Sequence, residues 1–175
     1  MEVNKELKKE TDNVIDRFGE IRDNASETLY GLRKEIQSVR GKIGQSFNKA
    51  LSHYHGQDFL DDIRESVVEN KRVLAVKAMY RRKVKGGIMG GSKTGSIVFI
   101  EPEATLAHSR ELQNLLFEES EEIKKILSQL TDFFRPHLEL IKSYQTYLIE
   151  MDTFHARGRY AKEINALLPS FSKTQ

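Results

Sequence analysis

Apolar residues at Leu7, Val14, Phe18, Ile21, Leu32, Ile36, Val39, Ile43, Phe47 and Leu51 are separated by intervals built from threes and fours, with mostly polar residues between them. This is helix periodicity close to a heptad, sustained far beyond an average globular helix. At 1.5 Å per residue, a helix from Leu7 to Leu51 would span roughly 65 Å. That length makes a lever, not a core helix. Gly19, Gly31, Gly41 and Gly44 each weaken such a helix by about 1 kcal/mol relative to alanine, so bends or breaks are expected near them.

A second stripe follows Pro102 and runs to about Asn165: Leu112, Leu116, Ile123, Leu127, Leu130, Phe134, Leu138, Ile141, Tyr144, Leu148, Met151 and His155. Pro136 lies inside it and removes one backbone donor, which predicts a kink or a junction between two collinear helices. Two long stripes in one chain are most easily covered by lying antiparallel, which leaves the segment between them at one end of the pair. That segment has strand character: RVLAVKAMY and SIVFIEP are rich in β-branched and apolar residues, DIRESVVEN is a further candidate, and Glu69-Asn70 is a turn signal. The expected fold is mainly α with a small antiparallel β insertion, in which two long antiparallel lever helices carry a sheet of three or four strands at their tip. The corresponding divisions are 1–57, a first lever helix; 58–102, a small β subdomain; and 103–175, a second lever helix.

The stretch GGIMGGSKTGS, from Gly86 to Ser96, has the look of a phosphate-binding loop. The Walker A pattern needs a second glycine before its lysine and a helix after it. Here Ser92 precedes Lys93, and a strand follows. The glycines instead suit a connection between strands, because glycine reaches positive φ at little steric cost. Between Lys71 and Ser96 stand eight basic residues, Lys71, Arg72, Lys77, Arg81, Arg82, Lys83, Lys85 and Lys93, and no acidic one. A cationic cluster on a β tip is the kind of surface that grips a nucleic-acid backbone without reading bases. A merely solvated face is the competing reading. Tyr80 is the one aromatic residue within the cluster, so base stacking is not expected.

No catalytic, cofactor or metal site is expected. Glu118, Glu119, Glu121 and Glu122 read as a solvated helix face placed favourably near a helix N-terminus. His53 and His55 read as the end of the first helix, with no third ligand in view, and His108, His137 and His155 as packing or surface residues. The absence of cysteine excludes disulfides, thiol nucleophiles and thiolate metal sites. The net charge of +2 says little about partners; its clustering says more. No apolar run approaches the roughly 20 residues needed to cross a bilayer, and MEVNKELKKE lacks a secretory core, so a cytoplasmic location is expected.

Several stretches in order resemble the central region of MutS2, the bacterial MutS-related family: IRDNASETLYGLRKEIQSVRGKI at Ile21 to Ile43, RVLAVKAMYRRKVKGGI at Arg72 to Ile88, TGSIVFIEPEATLAHSRELQNL at Thr94 to Leu115, EESEEIKKILSQL at Glu118 to Leu130 and MDTFHARGRYA at Met151 to Ala161. The resemblance implies that the long helices are the lever and the sheet the clamp. It further implies that the module approaches DNA, branched DNA included, or ribosomal RNA, and that the parent protein is a homodimer. ATP and Mg, by the same resemblance, belong to an ATPase domain outside this chain, and any nuclease activity to a separate Smr domain. The family's usual SxSG appears as Ser92-Lys93-Thr94-Gly95. A structural module for dimerisation or interdomain packing, without nucleic-acid binding of its own, is the alternative expectation.

Overall fold

The computed structural model describes residues 4–167, which fall into two units divided between Leu127 and Ser128. In order along the chain come α1 (Lys5–Val14), α2 (Glu27–His55), β1 (Leu60–Val68), β2 (Lys71–Lys77), a 3-10 turn (Ala78–Tyr80), β3 (Gly86–Gly91), β4 (Ile97–Pro102), α3 (Glu103–Phe134), a second 3-10 turn (Arg135–His137) and α4 (Leu138–Glu163). The fold is thus mainly α with a small antiparallel sheet. No helix among the described residues is long and apolar enough to cross a membrane.

The single helix expected over Leu7–Leu51 is two. After α1 the chain turns extended at Ile15, which bridges Ile21 across a tight reversal containing Gly19 at φ +87°. The Asp16 side chain accepts the N–H groups of Phe18 and Glu20 at 2.8 and 2.9 Å, and those backbone bonds hold its carboxyl below the usual carboxylate range. Ser26 then caps α2, accepting the Leu29 N–H at 3.0 Å. Gly31, Gly41 and Gly44 sit inside α2 without interrupting it. Their helix-weakening cost is outweighed by a cap at one end and a buried seam along the side.

That seam joins α2 to α3. Ser26 meets Glu122 at 2.8 Å, Arg33 meets Glu119 at 2.8 Å, and Ile36 and Val39 bury with Leu115, flanked by Leu32, Ile43 and Leu112. Rising numbers on α2 meet falling numbers on α3, so the helices are antiparallel. The buried line of α3 differs from the apolar stripe in sequence. Leu115 and Ile126 are buried, whereas Leu116 and Leu127 are exposed. The line passes through Glu119 and Glu122, which a hydrophobic count skips, and their carboxylates hold Arg33 and Ser26 instead of facing solvent. Arg33 also donates to the Ile21 carbonyl at 2.9 Å and pairs with Asp23, tying the reversal to the seam.

The sheet has strand order β1-β2-β4-β3, with every neighbouring pair antiparallel. Glu69 and Asn70 both have positive φ, as a two-residue hairpin turn requires. The glycine stretch differs from expectation: GGIMGG is itself strand β3, and only residues 92–96 turn. The glycines are compatible with a strand because β3 lies at the sheet edge, where backbone pairing on one side needs no side chain. At Gly86 none would fit, since a Cβ would stand 2.0 Å from the Glu101 carbonyl oxygen. The sheet packs on the C-terminal part of α2 through Phe47, Leu60, Leu74, Val76, Val84 and Ile100, with Leu51 and Tyr54 alongside.

In the second unit, the junction at Pro136 is a 3-10 turn, where Phe133 lies 5.8 Å from the His137 ring. α4 buries no residue, and Leu148, Ile149 and Phe154 are exposed.

Two substitutions test these backbone assignments. Gly86→Ala forces β3 from β4 and is expected to cost several kcal/mol, on the scale of roughly 1–3 for overpacking or more. Gly31→Ala, open to solvent within α2, is expected to add about 0.5–1 kcal/mol. Both are read from urea unfolding followed by circular dichroism.

Candidate nucleic-acid interface

The β2–β3 connection is what distributes the basic residues. β2 and β3 both pair with β4 and therefore run parallel, so residues 78–85 must cross from one end of the sheet to the other. Val84 and Tyr80 anchor that crossover on the core. At its start the Ala78 N–H donates to the Ser96 carbonyl at 2.9 Å, beside the β3–β4 turn. At its finish the Lys85 carbonyl accepts the Glu103 N–H at 3.0 Å, where α3 begins. The end carrying the 92–96 turn is therefore distal to the start of α3.

The eight cations separate accordingly. Lys77, Arg81, Arg82, Lys83 and Lys93 belong to the distal half. Lys71, Arg72 and Lys85 belong to the end near α3. Three are already engaged: Lys71 pairs with Glu101 at 3.0 Å, Arg72 with Glu65 at 2.6 Å and Lys77 with Asp58 at 2.9 Å. The Asp58 bond raises the Lys77 pKa above its ordinary value. Arg72 also lies over the Phe47 ring at 4.2 Å.

Arg81, Arg82, Lys83, Lys85 and Lys93 are exposed, and none forms an ion pair among the described residues. Lys83 lies over the stacked rings of Phe59 and Tyr80, 5.5 and 5.7 Å from their centroids. Phe59 escapes a linear reading because it precedes β1, yet its carbonyl accepts the Lys77 N–H at 3.0 Å and brings it to the same end. The opposite sheet edge is different in charge. β1 carries Asp61, Asp62 and Glu65 against the single Arg64.

The 92–96 turn is built by its own hydrogen bonds. Ser92 N–H donates to the Ile97 carbonyl and Gly95 N–H to the Ser92 carbonyl, both at 2.9 Å, and Ile97 N–H donates to the Ser92 hydroxyl at 3.1 Å. Gly95 takes φ +72°. The turn passes directly into β4, with no helix N-terminus, so the residues around Lys93 do not fit the triphosphate of ATP. His53 contacts Gln57 and the edge of Tyr54. No group of three metal-ligating side chains converges among the described residues.

No family model matches the chain. It is similar to proteins named Endonuclease MutS2: 30% identical over 94% of its length to that of Clostridium botulinum and 32% over 87% to that of Agathobacter rectalis. It is also 29% identical over 97% of its length to the Putative endonuclease MutS2 of Bacillus subtilis. The chain spans about a fifth of the length of these curated relatives.

Glu101 is buried, and with its ion-pair partner Lys71 it lines a cleft of about 510 Å³ between the helix pair and the β1–β2 turn. Lys71→Met strands that carboxylate and is expected to cost roughly 1–3 kcal/mol. Adding Glu101→Gln should recover part of the loss in chemical denaturation; a Lys71→Met protein as stable as the parent would remove Lys71 from the structural set.

Proposed function

This chain belongs to the MutS2 family, and we propose that it is a non-catalytic lever and clamp module whose distal β end grips the phosphate backbone of DNA. The observation that carries this reading is the set of exposed cations Arg81, Arg82, Lys83 and Lys93 at that end, without ion pairs among the described residues and on loops fixed by a small sheet, with Lys85 equally exposed where the crossover finishes. Neutralising phosphates releases condensed counterions and supplies affinity without base readout. Lys71, Arg72 and Lys77 contribute charge but are held by Glu101, Glu65 and Asp58, so their first role is in the fold. A seam of paired helices is a stiff connection, suited to passing conformational state between the clamp and an ATPase domain outside this chain. ATP and Mg are assigned to that domain, and the setting is DNA repair or recombination control by a cytoplasmic homodimer.

A second reading is a dimerisation or interdomain module that binds no nucleic acid by itself. It is favoured by Leu148, Ile149 and Phe154 of α4, which are apolar and exposed among the described residues.

Fluorescence anisotropy with duplex DNA, a four-way junction and structured RNA tests these readings. Changing the five free cations to alanine is expected to weaken duplex binding by at least tenfold. The slope of log K against log salt should fall by about 0.9 for each phosphate contact removed. Tightest binding to RNA would redirect the module to ribosomal RNA. No binding to any of the three at low salt would leave the dimerisation reading.

A further inference from the structure

The β3–β4 turn carries a feature that a cationic patch does not require. The hydroxyl oxygens of Ser92, Thr94 and Ser96 converge, with Thr94 Oγ1 at 2.8 Å from Ser96 Oγ and 3.2 Å from Ser92 Oγ, and Ser92 Oγ at 3.4 Å from Ser96 Oγ. They occupy the exposed distal end of the sheet, with Lys93 between the first two. Only the Ser92 hydroxyl is used by the backbone, as acceptor of the Ile97 N–H. Among the described residues the Thr94 and Ser96 hydroxyls hydrogen-bond only within the trio. Their protons can rotate outward at the cost of exchanging one hydroxyl partner for another.

The same turn is tied to the cationic crossover. Ser96 accepts the Ala78 N–H at 2.9 Å, and Ala78 in turn accepts the Arg81 N–H at 3.3 Å. The crossover carrying Arg81 and Arg82 therefore starts at the backbone of Ser96, at the end of the sheet that carries Lys93. Neutral donors that can turn to an anion, bordered by cations with no internal partner, form a site for a phosphodiester oxygen.

We propose that Thr94 and Ser96 donate hydrogen bonds to one backbone phosphate of a nucleic acid, which Lys93 and the Arg81-Arg82 pair neutralise. The inference rests on the proposed DNA-backbone function and assigns its central contact. It makes the turn a positioning element: charge attracts the strand, and the hydroxyls fix where a phosphate comes to rest. Hydroxyls release no counterions, so their removal and the removal of Lys93 must differ in salt dependence.

The test is anisotropy titration of the 175-residue chain against a duplex DNA of about 25 base pairs at several salt concentrations. The variants are Thr94→Val with Ser96→Ala, the hydroxyl-retaining Thr94→Ser with Ser96→Thr, and Lys93→Ala. Ser92 is kept, because its hydroxyl holds the turn. The Val/Ala double variant should bind about tenfold more weakly with an unchanged salt slope. The Ser/Thr variant should bind within twofold of the parent, and Lys93→Ala should reduce the slope by about 0.9. Circular dichroism melting of each variant separates a lost contact from a lost fold. A folded Val/Ala variant that binds like the parent overturns the hydroxyl contact while leaving the cationic interface standing. A parent chain that binds no duplex even at low salt overturns both.

Discussion

Phe47 is where helix and sheet become one structure. Its ring is buried among Leu60, Leu74, Val76, Val84 and Ile100, drawn from three strands and the crossover, while Arg72 lies over it. Truncating a buried phenylalanine costs about 3–5 kcal/mol in general, because the transfer energy is lost and a cavity remains. Leu51 and Tyr54 extend the contact along α2, but both are only partly buried, so Phe47 is its centre. With it, Val84 is held down, and the residues on either side of Val84 emerge at defined places. The exposed lysines and arginines owe their positions to a side chain that never meets solvent.

Helix periodicity made the lever legible, but not its interruption or its true seam. Gly19 was one of four glycines of equal intrinsic cost, and sequence alone does not rank them. The break falls there because Asp16 and the Ile15–Ile21 bridge offer an alternative set of backbone bonds. On α3, Leu115 and Leu116 are equally apolar neighbours, and only the positions of Glu119 and Glu122 opposite Arg33 and Ser26 select the first. Strands β2 and β4 were readable from β-branched runs. β3 was not, since four glycines have no side-chain pattern to display and the pairing that orders them comes entirely from β4.

The basic cluster was visible as composition, whereas its division was not. A linear count treats Lys71 and Lys93 alike. In three dimensions Lys71 faces a buried carboxylate that lies far along the chain, and Lys93 faces solvent. The charge asymmetry of the sheet arises in the same way: carboxylates gather on β1 and cations on the crossover and the β3–β4 turn. For a polyanion the two edges are unlike, so the sheet has a preferred side of approach.

The strand order has a consequence for assembly. β1 and β2 close through a two-residue turn, and β3 and β4 close through residues 92–96, so each hairpin can form from neighbouring chain. The β2–β4 ladder is the remaining pairing, and closing it encloses the crossover, β3 and the 92–96 turn. Loop-closure entropy is thereby concentrated in one seam, whose inward residues Leu74, Val76 and Ile100 are among the most buried in the chain. The sheet is two local units zipped along a greasy line, and because β2 and β4 run antiparallel the zipping sends the two hairpin turns to opposite ends of the sheet.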